Sequence, residues 1–218
     1  MSINVSSAFA VPLVETRLED ADRLNSVLER IILALEAQGD AYRNVDAVVH
    51  QPPGLFESRF EFFARSEPAV QELRQFCWST LGETIKGLNS GLANGLGDLQ
   101  ISSQTWFHVT RNGAYFDVHN HPMASWSGVY CVSDGEPDAD VPNNGSLVFP
   151  HPNPAVNTFL DPANSTLIWP YTHGNFVMNL KPGQLVLFPS WLSHYVSPFK
   201  GRRPRITVAF NAWFRRAG

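Results

Sequence analysis

Two kinds of hydrophobic periodicity divide the chain near Leu99. Before it, Leu24, Val27, Leu28, Ile31, Ile32 and Leu35 recur at spacings of three and four, the repeat of one helix face. Asp20 or Asp22 supplies a start signal and Gly39 a stop, so an amphipathic helix is expected there. A second helix is expected from Ser66 as N-cap, with Pro68 in its first turn. Its apolar positions Val70, Leu73, Phe76, Cys77, Leu81, Ile85 and Leu88 keep the period to about Asn89, where a glycine-rich stretch, 89–97, ends it. Ala8 to Val14 is a short apolar run that reads as a first strand. The irregular segment 44–56, with Pro52, Pro53 and Gly54, reads as a loop holding a strand fragment near Val48.

From Leu99 the pattern changes to short runs rich in Val, Ile, Phe, Trp and Thr, punctuated by Gly, Pro and Asn, which marks an all-β region. The candidate strands are Ile101–Thr110, Tyr115–Asn120, Ser127–Val132, Ser146–Phe149, Phe176–Leu180, Gln184–Pro189, His194–Val196 and Arg205–Phe214. Such a series suits a double-sheet jelly roll or a barrel closed on itself. The expected class is therefore mainly β with N-terminal helices. One domain over 1–218 is expected, with 1–98 as a helical front packing on the barrel and 99–218 as its core. At 218 residues and 44% hydrophobic content the chain can bury a sizeable core.

A net charge of -4 removes any electrostatic reason to expect nucleic acid. The single cationic cluster, with Lys200, Arg202, Arg203 and Arg205, reads equally as a solvated turn or as an anion holder. Cys77 and Cys131 sit in apolar surroundings and read as buried thiols rather than a disulfide framework. The amino terminus lacks the basic start and apolar core of a signal peptide, and no window reaches the ~18 continuous apolar residues of a membrane span. A cytoplasmic setting is the default expectation, with no membrane and no nucleic-acid partner; a homodimer stays open.

The candidate chemistry begins at His119 and His121, inside YFDVHNHP. In extended chain, side chains two apart leave the same face, so both imidazoles can point at one spot. Far downstream, His194 ends GQLVLFPSWLSH and Arg205 opens a further strand. Each residue has a plainer reading: a His-x-His pair arises by chance, and His50, His108, His151 and His173 read as structural, with His108 also able to point inward. Trp106, Trp126, Trp169, Trp191 and Trp213 read as core or rim packing.

Taken in order, His119-Asn120-His121-Pro122, Ser127-Gly128-Val129-Tyr130, the run Gly183 to His194, Arg205-Ile206-Thr207 and Asn211 resemble the iron(II)- and 2-oxoglutarate-dependent oxygenase superfamily, in particular a small bacterial branch. The likeness covers roughly Trp106 to Phe214. It implies a cupin-like double-stranded β-helix that binds Fe(II) and takes 2-oxoglutarate as cosubstrate. By position, His119 matches the first metal ligand, His194 the distal ligand and Arg205 the residue that grips the far carboxylate of 2-oxoglutarate. Thr207, two residues along the same strand, would face the same cavity and add a hydroxyl donor. Tyr130 is a further candidate donor to the cosubstrate, beside its reading as a core tyrosine. The implied reaction is hydroxylation of an unknown substrate, small-molecule or other, with decarboxylation of 2-oxoglutarate to succinate.

One position departs from that pattern: where the family usually has a carboxylate, this chain has His121. The ligand set is read as His119, His121 and His194, with Asp117, at i-2 from His119, as the alternative third ligand if the strand is regular. Three neutral imidazoles leave the ion one unit more positive than two His and a carboxylate, and also suit zinc. Two other functions stay open: a non-catalytic metal-binding cupin-like module, and a three-histidine dioxygenase that needs no keto acid. The connection Glu136 to Asp140 and the segment Pro150 to Tyr171 are the expected lid and selectivity elements.

Overall fold

Successive residues of a strand leave opposite faces, so alternation after Leu99 sorts the side chains into two layers. The computed structural model describes residues 2–91 and 99–216. In chain order the elements are β1 (Val14–Arg17), α1 (Ala21–Glu36), β2 (Leu55–Glu57), α2 (Pro68–Leu88), β3 (Leu99–Thr110), β4 (Phe116–His119), β5 (Trp126–Ser133), β6 (Leu147–Phe149), β7 (Phe176–Met178), β8 (Gln184–Pro189), β9 (His194–Val196) and β10 (Arg205–Arg216).

The strands form two antiparallel sheets, one ordered β1-β8-β5-β10-β3-β2 and the other β4-β9-β6-β7. One face of the larger sheet carries Phe107, Val109, Tyr130, Val132, Leu185, Leu187, Ile206, Val208 and Phe210, and these pack with the buried sides of α1 and α2. The opposite face, through Cys131, Val186 and Phe188, packs with Leu147, Phe149 and Met178 of the smaller sheet. Two sheets packed face to face, with helices on the outside of one, make the double-stranded β-helix that the jelly-roll reading expected. The closed-barrel alternative is not formed: among the described residues no strand belongs to both sheets.

The helices owe their position to the apolar stripe. Leu24, Leu28 and Ile32 of α1 and Val70, Leu73 and Leu81 of α2 have no exposed surface. Burying each such side chain is worth ~1.5–3 kcal/mol. Truncating Leu28 to Ala should therefore cost about 2–5 kcal/mol, cavity included.

Three expectations shift. The first strand starts at Val14 rather than Ala8, because β8 recruits Val14 to Arg17 as an edge and leaves the apolar run before it unpaired. Val48 is fully exposed, and the strand expected near it is instead Leu55–Glu57, held by His108 to Thr110 of β3. The N-cap of α2 is Glu67, not Ser66. Pro68 occupies the first helical position and keeps the residue before it extended, with Glu67 at ψ 130. The helix itself ends at Leu88, and most of the glycine-rich 89–97 lies outside the described residues.

Candidate metal centre

A cross-strand pair founds the site. In the β4–β9 ladder His119 stands directly opposite His194, with ring centroids 4.3 Å apart. His121 follows β4 at a turn through Pro122, pinned by its backbone N–H donating to the Ser190 carbonyl at 2.8 Å. Its ring centroid lies 5.0 Å from that of His119 and 5.2 Å from that of His194. One ligand atom from each histidine falls within 4.8 Å of the others, and this is the group among the described residues that can hold a metal ion.

The surroundings prepare these rings as ligands. The His119 Nδ1 lies 2.8 Å from the Asp117 carbonyl, and the His194 Nδ1 lies 3.0 Å from the Leu192 carbonyl. A carbonyl only accepts, so both Nδ1 atoms carry the proton and both Nε2 atoms keep a free lone pair. This is the backbone bracing that metal-bound histidines use. Burial, then the neighbouring His119, lowers His121 to about 4 and His194 to about 3. Burial also lowers His119, against the pull of the Asp117 carbonyl. Three imidazoles that stay neutral at physiological pH, with lone pairs fixed by their partners, fit a borderline divalent ion such as Fe(II).

The cavity beside the histidines has a free volume of about 40 Å³, room for a few waters. Arg205 and Thr207 both line it, two residues apart on β10. Arg205 is 5% exposed, and its guanidinium makes no hydrogen bond or ion pair with another described residue. Burial holds it below the usual arginine value, while Cys131 and Asp134 pull the other way. Gly135 secures the start of β10: at φ +74, a Cβ there would meet Phe199, the Arg203 carbonyl and the Arg205 backbone nitrogen at 2.5–2.8 Å.

Two expected residues are not brought in. Tyr130 lies on the other face of β5, fully buried, and donates to the Asn25 side-chain oxygen of α1 at 2.8 Å. Alternation decides this, since Ser127 and Val129 line the cavity and Tyr130 must face the helices. Asp117 is exposed and lines an outer cleft with Tyr115 and Tyr195. The β4 register slips between Phe116 and His119, so the strand is irregular there and the i-2 relation to His119 fails.

The sequence reading allowed His108 to point inward but gave the layer behind the rings no role. His108 lines the cavity, and its Nε2 lies 2.9 Å from the Glu57 carboxylate, which also accepts from Asn44 and Gln51. Burial, the largest influence on Glu57, pushes its pKa up, but the hydrogen bond and charge of His108 and the amide of Asn44 outweigh it. Trp106 lines the same wall and lies against His121, ring centroids 5.7 Å apart. Trp106 and His108 share a face of β3 at i and i+2, a signal present in the sequence; Glu57 gave none, because β2 was not foreseen there. The basic cluster divides: Lys200 pairs with Asp138 at 2.8 Å, Arg202 with Glu136 at 2.8 Å and Arg203 with Glu29 at 2.7 Å, whereas Arg205 lines the cavity. Those pairs also tie down the acidic connection. The 150–171 segment carries exposed Phe159, Ile168 and Trp169.

With this geometry in place, residues 104–211 match a protein-family model described as "Putative 2OG-Fe(II) oxygenase". None of the curated proteins compared with the chain matches it. Solved structures do. A Pseudomonas putida prolyl-4-hydroxylase is 18% identical, with 94% of this chain and 93% of that one covered, at TM-score 0.54. A Trichoplax adhaerens prolyl hydroxylase, solved with a hypoxia inducible factor peptide fragment, is 14% identical, with 92% and 83% covered, at TM-score 0.55. HygX from Streptomyces hygroscopicus, solved with nickel and 2-oxoglutarate, is 12% identical, with 93% and 82% covered, at TM-score 0.53. At these identities the structures speak for the fold. No described helix is long and apolar enough to cross a membrane.

Proposed function

The chain belongs to the 2OG-Fe(II) oxygenases over residues 104–211, and from that premise we propose that it hydroxylates a small-molecule substrate, decarboxylating 2-oxoglutarate to succinate. The observation that carries the reading is Arg205, a buried guanidinium in the cavity beside three convergent histidines, with no carboxylate partner among the described residues. A buried charge is costly unless paired, and a planar fork is matched to a carboxylate. In this reading the partner arrives with the cosubstrate. Residues 1–218 act as one domain, since the helices and the larger sheet share a core.

Each residue then has a role. His119, His121 and His194 hold Fe(II) through their Nε2 atoms. Arg205 grips the far carboxylate of the keto acid, and Thr207 donates its hydroxyl beside it. Phe116, Leu147 and Phe188 line the cavity with apolar surface and keep bulk water from the reacting centre. Bound together, the metal and keto acid supply the activation of oxygen and the oxidising equivalents for C–H hydroxylation.

Anaerobic titration of the Fe(II)-loaded protein with 2-oxoglutarate, followed by succinate measurement in air, tests the reading. His194→Ala should lose the metal. Arg205→Lys should weaken the keto acid far more than the metal, because a point charge cannot replace a two-armed contact. His121→Asp should keep or improve iron binding. Absence of anaerobic keto-acid binding would favour a metal-binding module without turnover. The all-histidine set also supports a second reading, a dioxygenase that needs no keto acid; oxygen uptake independent of 2-oxoglutarate would select it.

A further inference from the structure

Four buried side-chain polar atoms among the described residues lack a hydrogen-bond partner, and one of them, the indole Nε1 of Trp106, belongs to a residue of the cavity wall. Trp106 is 5% exposed. Its ring is held on three sides, by Phe60 at a centroid distance of 5.0 Å, His121 at 5.7 Å and His108 at 6.3 Å. A rigid, dehydrated donor with nothing to donate to is rare in a folded protein, and at a binding wall it anticipates an acceptor supplied by a ligand.

The neighbouring residue on that face completes a pattern. His108 gives its Nε2 to Glu57, itself 5% exposed and held also by Asn44 and Gln51. That contact fixes the ring and leaves Nδ1 with no hydrogen bond to a described residue. Position along the wall sets Trp106 apart from Arg205, while His108 stands opposite Thr207 between them. Trp106 stands opposite Ala209 and Arg205 opposite Thr110, so the two lie four residues apart on β3, about 14 Å at ~3.4 Å per residue.

We propose that Trp106, with His108 beside it, is the primary-substrate subsite: the indole N–H donates to a carbonyl or hydroxyl oxygen of the substrate and so sets which carbon faces the metal. The substrate class is then a compact molecule with an oxygen acceptor close to the C–H bond to be oxidised. Glu57 is a positioning residue that acts through His108. This rests on the reading under Proposed function.

The test uses the full chain loaded with Zn(II) in place of Fe(II) and with 2-oxoglutarate, so that no turnover occurs. The probes are cyclohexanone, cyclohexanol and N-methylpyrrolidone, and the indole N–H resonances are followed by NMR. The Trp106 signal is the one missing from Trp106→Phe, a variant that keeps an aromatic ring in the wall. The expected result is a saturable downfield shift of that signal with at least one probe. In Trp106→Phe that probe should bind roughly 3- to 10-fold more weakly, the loss of one neutral hydrogen bond, while 2-oxoglutarate affinity stays within about two-fold. A signal unmoved by all three probes overturns the proposal, as does equal probe binding by the variant. If Trp106→Phe weakens 2-oxoglutarate as strongly as Arg205→Lys does, Trp106 belongs to the cosubstrate site and the proposal is again wrong. Failure of the wild-type protein to bind 2-oxoglutarate at all sinks both readings, and that result is distinct from the others.

Discussion

Replacing Arg205 with Met separates stability from ligand binding. Met has similar length and no charge, and Arg205 is 5% exposed with no carboxylate partner among the described residues. In the ligand-free protein the guanidinium is a desolvated charge, and exchanging buried ions for apolar groups is commonly neutral or stabilising by ~1–4 kcal/mol. A gain of about 1–2 kcal/mol should raise Tm by roughly 2–8 °C in a chain of this size. Keto-acid binding should move the opposite way. Two charge-assisted hydrogen bonds at ~1.5–3 kcal/mol each are lost, which weakens 2-oxoglutarate by at least about 150-fold. Thermal melts of the metal-loaded protein read both effects. At 100 times its Kd, 2-oxoglutarate stabilises the wild type by about 2.7 kcal/mol, and at the same concentration it should stabilise the variant by less than ~0.3 kcal/mol. A variant that is less stable without ligand yet still raised in Tm by 2-oxoglutarate would show that Arg205 is a structural residue and refute the reasoning.

Acid should destabilise the metal-free protein early. His121 at about 4 and His194 at about 3 lie below their ordinary value, so as pH falls the unfolded chain takes up protons first. Their contribution is full above about pH 6.5 and is lost through pH 4 and 3, at up to ~1.4 kcal/mol per pH unit for each histidine. Melts in chelator from pH 7 to 5 check this, and a flat profile contradicts it. Gly135→Ala forces a Cβ to within 2.8 Å of the Arg205 backbone nitrogen at φ +74, and should cost more than ~2 kcal/mol in a urea titration; an unchanged midpoint would show that the turn yields. Cys77 and Cys131 are buried free thiols, with burial pushing Cys131 up to about 12 and raising Cys77 as well. Iodoacetamide at pH 8 should label them only after unfolding, and rapid native labelling would place them at the surface.

Much of the fold is legible because its signals are local. Leu24, Leu28 and Ile32 announce a helix wherever they end up packing, and the Gln184–Pro189 and His194–Val196 strands have the limits that their apolar runs suggest. What the sequence hides are pairings chosen by a distant partner. Leu55–Glu57 is a strand because β3 lies beside it, and nothing in that three-residue segment says so. Glu57 therefore reaches His108 through a contact between residues far apart in the chain, beyond any periodicity argument.

The site shows the same division at the scale of single residues. Alternation along β10 places Arg205 and Thr207 together correctly, because that part of the strand keeps one side of its ladder regular against β3. Alternation along β5 equally excludes Tyr130 once Ser127 and Val129 are known to face the cavity. On β4 the rule fails, since one slipped register between Phe116 and His119 turns Asp117 to the surface. The same slip lets Phe116 and His119 both face inward, three residues apart. Which side chains of this stretch face the cavity is thus decided by a bulge, not by residue types alone. A strand-regularising deletion within 117–118 would accordingly be expected to disrupt the metal site more than either side chain's removal, because it would reverse the direction of His119 itself.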